Sequence, residues 1–105
     1  MARPLRLLLS NGFYHVAARG IAKQSIYVDD ADRRRFLGML ERAVSRFNWR
    51  CLTYCLMDNH FHLVVRTPEP NLSRGMQQLM SQFAQHYNQR HERVGPLFAG
   101  GTRRS

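Results

Sequence analysis

The stretch Met57-Asp58-Asn59-His60-Phe61-His62-Leu63-Val64-Val65 constrains this chain more than any other. Side chains of a β-strand alternate between the two faces of a sheet. A strand beginning at His60 therefore puts His60 and His62 on one face and Phe61, Leu63 and Val65 on the other. One short element specifies an apolar back that must be buried and a front that carries two neighbouring imidazoles. Paired imidazoles suit a divalent cation, and a cation beside basic surface suits phosphate chemistry.

The rest of the chain is organised around that strand. Asp58-Asn59 reads as a two-residue hairpin turn, because both residues tolerate positive φ. A strand over 50–57 then pairs with 60–66, setting Met57 against His60, Cys55 against His62 and Tyr54 against Leu63. Leu52, Tyr54 and Leu56 join Phe61, Leu63 and Val65 on the face expected to bury against helices. Cys51, Thr53, Cys55, Met57 and Val64 join both histidines on the opposite face. Upstream, residues 13–19 read as a strand entered from the Asn11-Gly12 turn and closed by Gly20.

Asp29 or Asp30 offers an N-cap to a helix over 31–47, in which Phe36, Leu37, Leu40, Val44 and Phe47 recur at three and four. Arg33, Arg34, Arg35, Arg42 and Arg46 occupy the remainder, and Arg33-Arg34-Arg35 reads as a solvated face. After the turn Pro68-Glu69-Pro70, a second helix over 72–92 carries Leu72, Met76, Leu79, Met80, Phe83 and Tyr87 on its inner stripe. Arg74, Gln77, Gln78, Gln82, Gln85, Gln89, Arg90 and Arg93 lie outside, and Gly95-Pro96 stops the helix. The order strand, helix, strand, strand, helix predicts an α+β domain whose antiparallel sheet has its helices on one face.

A chain of 105 residues supports one domain. Its formal charge of +9 comes from 16 Lys and Arg against 7 acids. All of those cations except Lys23 are arginine, whose planar fork suits phosphate oxygens. Nucleic acid is thus the expected partner. The apolar run at Leu7-Leu8-Leu9 is too short for a signal peptide, and no segment reaches membrane-spanning length. Two cysteines in such a chain read as free thiols, and the cytoplasm is the expected location.

His60 and His62 are the candidate ligands of a Mg or Mn ion. Such a cation takes about six donors, so the remainder must come from water, substrate phosphate and a third protein ligand elsewhere. A zinc site drawing on Cys51 and Cys55 is disfavoured. The two thiols are four residues apart on one strand, about 13 Å, which also forbids a disulfide between them. Cys55 alone could join the histidines.

Several pieces together resemble a known family. Ala2-Arg3-Pro4-Leu5-Arg6, Tyr14-His15-Val16, Arg19-Gly20, Met57-Asp58-Asn59-His60-Phe61-His62-Leu63 and Tyr87-Asn88-x-x-His91 look like the start of the single-tyrosine HUH transposases. The resemblance is to the branch associated with bacterial repetitive extragenic palindromes, and it runs to about Phe98. It implies a ferredoxin-like fold and metal-dependent cleavage and rejoining of single-stranded DNA at hairpin-flanked sites. It also implies a phosphotyrosine intermediate that conserves bond energy without ATP.

By this resemblance His60 and His62 hold the metal. The family's nucleophile lies on a later helix, in a segment resembling Tyr-x-x-x-Asn-Pro, which this sequence lacks. The chain therefore reads as a truncated copy: an incomplete domain over 1–99, without the final strand and tyrosine-bearing helix, followed by an unrelated tail over 100–105. Tyr87 with His91 is the rival nucleophile, although Tyr87 also falls on the apolar stripe. Tyr14, Tyr27 and Tyr54 read as structural, and His86 has no assigned role. Arg19, His15, Arg74 and Arg90 are the candidate DNA contacts, with single-stranded or hairpin DNA as the ligand. The alternative function is an inactive remnant that only binds structured DNA. Loss of a strand would leave a sheet edge open to aggregation or to pairing as a homodimer.

Overall fold

The computed structural model describes residues 5–99. The predicted tail at 100–105 and the Ala2-Arg3-Pro4 piece lie outside the described residues. The elements are β1 (Leu5–Ser10), β2 (Phe13–Arg19), α1 (Asp30–Phe47), β3 (Arg50–Leu56), β4 (His60–Arg66) and α2 (Leu72–Arg90). A single 3₁₀ turn, Ile21–Lys23, lies between β2 and α1. The four strands form one antiparallel sheet in the order β1-β2-β4-β3, and two helices cover one of its faces. The α+β class is as expected.

β1 corrects the expected strand count. Asn11 (φ 52°) and Gly12 (φ 81°) both take positive φ, the requirement of a tight hairpin turn, so the chain before them folds back along β2. β2, α1 and β3 make a split β-α-β unit with β4 inserted between the two strands, as in ferredoxin-like sheets. In that arrangement the edge position beside β2 belongs to the last strand. Here β1 occupies it, from the opposite end of the sequence.

β2 and β4 supply the buried face of the sheet. Val16, Phe61, Leu63 and Val65 are each 0% exposed, beneath Phe36 and Leu40 of α1 and Met76, Leu79 and Phe83 of α2. Asp29 caps α1 by accepting the Asp32 N–H at 3.1 Å, and Asn48 closes it in the left-handed conformation. Gly75 lets α2 approach Trp49. A Cβ there would sit 2.3 Å from the indole ring, and the Trp49 indole Nε1–H donates to Asn71 Oδ1 at 2.8 Å beside it. The segment at Leu97–Ala99 returns to β2: the Ile21 N–H donates to Leu97 O and the Ala99 N–H to Arg19 O, each at 2.8 Å. Phe98 thereby packs on Phe61 and Phe83.

The edge strand β3 departs from the expected alternation. Cys51 pairs with Val65 and Thr53 with Val64, so Leu52 is an extra residue in a bulge. Cys51 therefore lies on the helix side, not the histidine side. It is half-buried there, and burial pushes its thiol pKa up. Leu52, expected in the core, is 54% exposed, and Tyr54 is 53% exposed even though its partner Leu63 is buried.

Candidate functional site

The sheet face without helices carries the histidines, and the register between strands sets their company. Across β2 and β4, His15 faces Val64, Ala17 faces His62 and Arg19 faces His60. Ala17, small and directly opposite His62, leaves space above the sheet. His15 fills part of it: its Nε2 lies 3.0 Å from His62 Nδ1, with the rings stacked 5.1 Å apart. The His60 and His62 rings meet edge to face at 4.9 Å. The expected pair is therefore three half-buried histidines in a row. His15, read from sequence as a DNA contact, is held against His62.

Asn59 selects the tautomer of His60. Its Nδ2 donates to Lys23 O at 3.2 Å, so its Oδ1 is the atom 2.9 Å from His60 Nδ1. An amide oxygen only accepts, so His60 Nδ1–H donates to it, and in the neutral ring the lone pair is then on Nε2. The support is rigid. The Gly20 N–H donates to Asn59 O and the Ile26 N–H to Asp58 O, both at 2.8 Å, and the Met57 N–H donates to His60 O at 2.9 Å. Ala22 (φ 52°) and Lys23 (φ 62°) are both left-handed, a costly conformation that aims Lys23 O at Asn59. His62 is disposed to be neutral. Desolvation first, then the charges of His60 and His15, lower its pKa from the ordinary 6.5.

A neutral imidazole whose Nδ1 is committed to a neighbour and whose Nε2 lone pair is free is the form that ligates metals. Among the described residues no group of three or more His, Cys, Asp or Glu converges as a metal site. Cys55, opposite His62 in register, turns its thiol to Met57 Sδ at 3.5 Å instead. The donor set fits a cation that takes its other ligands from water and phosphate. Imidazole suits Mn²⁺ better than the harder Mg²⁺.

Arg19 is exposed on this face beside His60. Arg66 lies at the other end of β4 with its guanidinium 5.8 Å from the Phe13 ring centroid. The remaining DNA candidates lie elsewhere. Arg74, on α2, sits over Phe47 on the helix side. Arg90 is committed: it donates to Asp29 at 2.7 and 2.8 Å and to Asp32 at 2.6 Å.

Sequence reading missed the cluster around Asp32, which is 0% exposed and also accepts from the Val28 N–H at 2.8 Å and pairs with His91 Nε2 at 2.9 Å. Burial alone would raise the Asp32 pKa. The Val28, Arg90 and His91 contacts outweigh it and hold the carboxyl below its usual value.

The structure does not bring Tyr87 to the histidines. It is 6% exposed in the helix layer, packs on Phe83 and His91, and donates to Ser25 O at 3.4 Å. Desolvation first, then the Asp32 charge, raises its phenol pKa. Tyr27 is buried against Phe36 and Phe83, Tyr14 pairs with Val65, and Tyr54 pairs with Leu63. All four tyrosines of the chain thus lie on the helix side of the sheet.

No helix among the described residues is long and apolar enough to cross a membrane. A search of curated proteins returns no match. The family described as "Transposase IS200 like" matches residues 9–102, nearly the whole chain, from the β1 hairpin through the histidine strand to beyond Phe98. This chain belongs to the IS200-like transposase family.

Proposed function

We propose that the histidine face is where this chain engages single-stranded DNA for metal-dependent cleavage and rejoining, with His60 and His62 holding Mn²⁺ or Mg²⁺. One observation carries the reading: His60 and His62 stand together on the helix-free face, each with Nδ1 bonded to a neighbour, Asn59 or His15. A bound cation there would polarise a scissile phosphodiester and favour the charge that develops on its oxygens. Arg19 and Arg66 flank the site and attract the strand, while Phe13 beneath Arg66 offers a ring on which a base can stack. Asn59 selects the ligating tautomer of His60, and His15 holds the His62 ring in place. Action in the cytoplasm accords with reduced thiols and accessible DNA.

A second reading, binding of structured DNA without cleavage, is favoured by the placement of all four tyrosines across the sheet from the histidines. Burial of Tyr87 in the helix layer supports a core role for it over a nucleophilic one. Incubating the protein with a labelled hairpin oligonucleotide and Mn²⁺ separates the readings. The expected outcome is Mn²⁺-enhanced binding that His60→Ala and His62→Ala abolish. A covalent adduct lost in Tyr87→Phe would restore Tyr87 as the nucleophile. The homodimer is proposed through the open edges at β1 and β3, where Leu5, Leu8, Leu52 and Tyr54 are exposed.

A further inference from the structure

We propose that the helix-free face carries a second, softer metal site, a Cu(I) site built on Cys55 and Met57 with one imidazole drawn from across the hairpin. Cys55 Sγ lies 3.5 Å from Met57 Sδ. Both side chains stand at the end of the edge strand β3 and are open to solvent, Met57 being 46% exposed. Two sulfurs that share one ion at about 2.3 Å each lie about 3.8 Å apart when their angle is tetrahedral. The pair already stands within a few tenths of an ångström of that spacing.

The donors choose the ion. Mn²⁺ and Mg²⁺ prefer oxygen and gain little from a thioether, whereas a thiolate beside a thioether is the soft pair that selects Cu(I). Packing does not account for the pair, because neither residue belongs to the core. The other thiol has no such setting. The bulge at Leu52 turns Cys51 to the helix side, where it is half-buried and donates to Thr53 O at 3.5 Å. A thiol must lose its proton to ligate, and burial opposes that at Cys51 by pushing its pKa up. Cys55, open to solvent, can release its proton to water.

The third donor stands across the hairpin. Cys55 is opposite His62 in register, and the Met57 N–H donates to His60 O at 2.9 Å, so sulfurs and imidazoles occupy adjacent rows. Directly opposed residues have Cβ atoms about 4.5–5.5 Å apart, a separation that a thiolate and an imidazole can span on one ion. Among the described residues no three His, Cys, Asp or Glu converge beforehand, so the ion itself draws the imidazole in. Copper held this way takes His62 from the pair proposed to hold Mn²⁺ and blocks it. That consequence, unlike the sulfur site, rests on the reading of His60 and His62 as Mn²⁺ ligands.

The test is an anaerobic titration of the reduced protein with Cu(I) in competition with bicinchoninate, a chelator whose copper complex is coloured. The parent should withdraw one Cu(I) ion from the chelator, and Cys55→Ser should withdraw none. Met57→Leu and His62→Ala should each weaken binding about tenfold or more. Cys51→Ser removes the same number of thiols as Cys55→Ser and should stay within about twofold of the parent. Equal loss in the two serine variants, or Met57→Leu matching the parent, would overturn the proposal, because either result marks an isolated thiol. Electron paramagnetic resonance of free Mn²⁺ then reads the histidine pair. Copper loading should weaken Mn²⁺ binding about tenfold or more in the parent and leave Cys55→Ser unaffected. Undiminished Mn²⁺ uptake by the copper-loaded parent would refute the shared imidazole. Copper uptake as expected, with no Mn²⁺ uptake even before loading, would instead count against the histidine-pair reading and leave the sulfur site standing.

Discussion

The two faces of β4 are built from alternating residues of one strand, yet they answer to different demands. On the helix side Phe61, Leu63 and Val65 are sealed from solvent and define the core. On the other side His60 and His62 are half-buried, held by polar neighbours rather than by packing. The contrast teaches that residues one position apart can answer to separate demands, one set for folding and the other, in the proposed function, for chemistry. Mutations should therefore sort by parity along the strand.

The largest expected effect is on the packed side. Phe61→Ala should cost about 3–5 kcal/mol, a large share of the stability of a domain this size. His62→Ala should cost less than about 1 kcal/mol by the same urea melts, while losing Mn²⁺. Comparable destabilisation by both would erase the distinction between the faces.

Next comes the Asp32 cluster, which ties the end of α2 to the start of α1 on the structural side. Asp32→Asn leaves Arg90 and His91 facing a neutral amide in a buried site and should cost about 3 kcal/mol. The pH dependence follows from the depressed carboxyls. Hydrogen bonding from Arg90 chiefly lowers the Asp29 pKa, and Asp32 is also held below the ordinary 3.8. The folded state then binds fewer protons than the unfolded one. This stabilisation is in full force above about pH 4 and is lost as the pH falls below it. Urea midpoints between neutral and acidic pH should drop less steeply in Asp32→Asn than in the parent. A steeper drop would refute the linkage.

Smaller still is Gly75→Ala. Alanine ordinarily stabilises a helix interior by up to about 1 kcal/mol. Here its methyl would meet the Trp49 ring at 2.3–2.6 Å, so a net loss of about 1–3 kcal/mol is expected in a thermal melt. The smallest effect is Tyr87→Phe. It removes one long hydrogen bond to Ser25 and should change stability by about 0.5–1 kcal/mol, with metal binding untouched.

The helices and the pairing of β3 with β4 were legible in the sequence because their signals are local, although Asp58 and Asn59 turn the chain without the positive φ expected of them. The Asp29 cap, the stripe through Phe36 and Leu40, and the alternation through Phe61 and Leu63 each depend on near neighbours. β1 was not legible: Leu7-Leu8-Leu9 has no alternation, and as an exposed edge it buries neither face. The bulge at Leu52 leaves no pattern of its own and moved Cys51 to the other side of the sheet. His15 reached His62 only through the register of β2 on β4, two strands far apart in sequence. Asn59 looked like a turn residue, and its hold on His60 depends on the position of Lys23 O. The histidine pair itself was visible at once, and its supporting shell was not.

The most direct test of the central claim is a Mn²⁺ titration of the protein, followed by electron paramagnetic resonance of the free ion. The account predicts one saturable site, abolished in His60→Ala with His62→Ala while the melting temperature stays within a few degrees of the parent. Equal Mn²⁺ uptake by the parent and the double variant would contradict it.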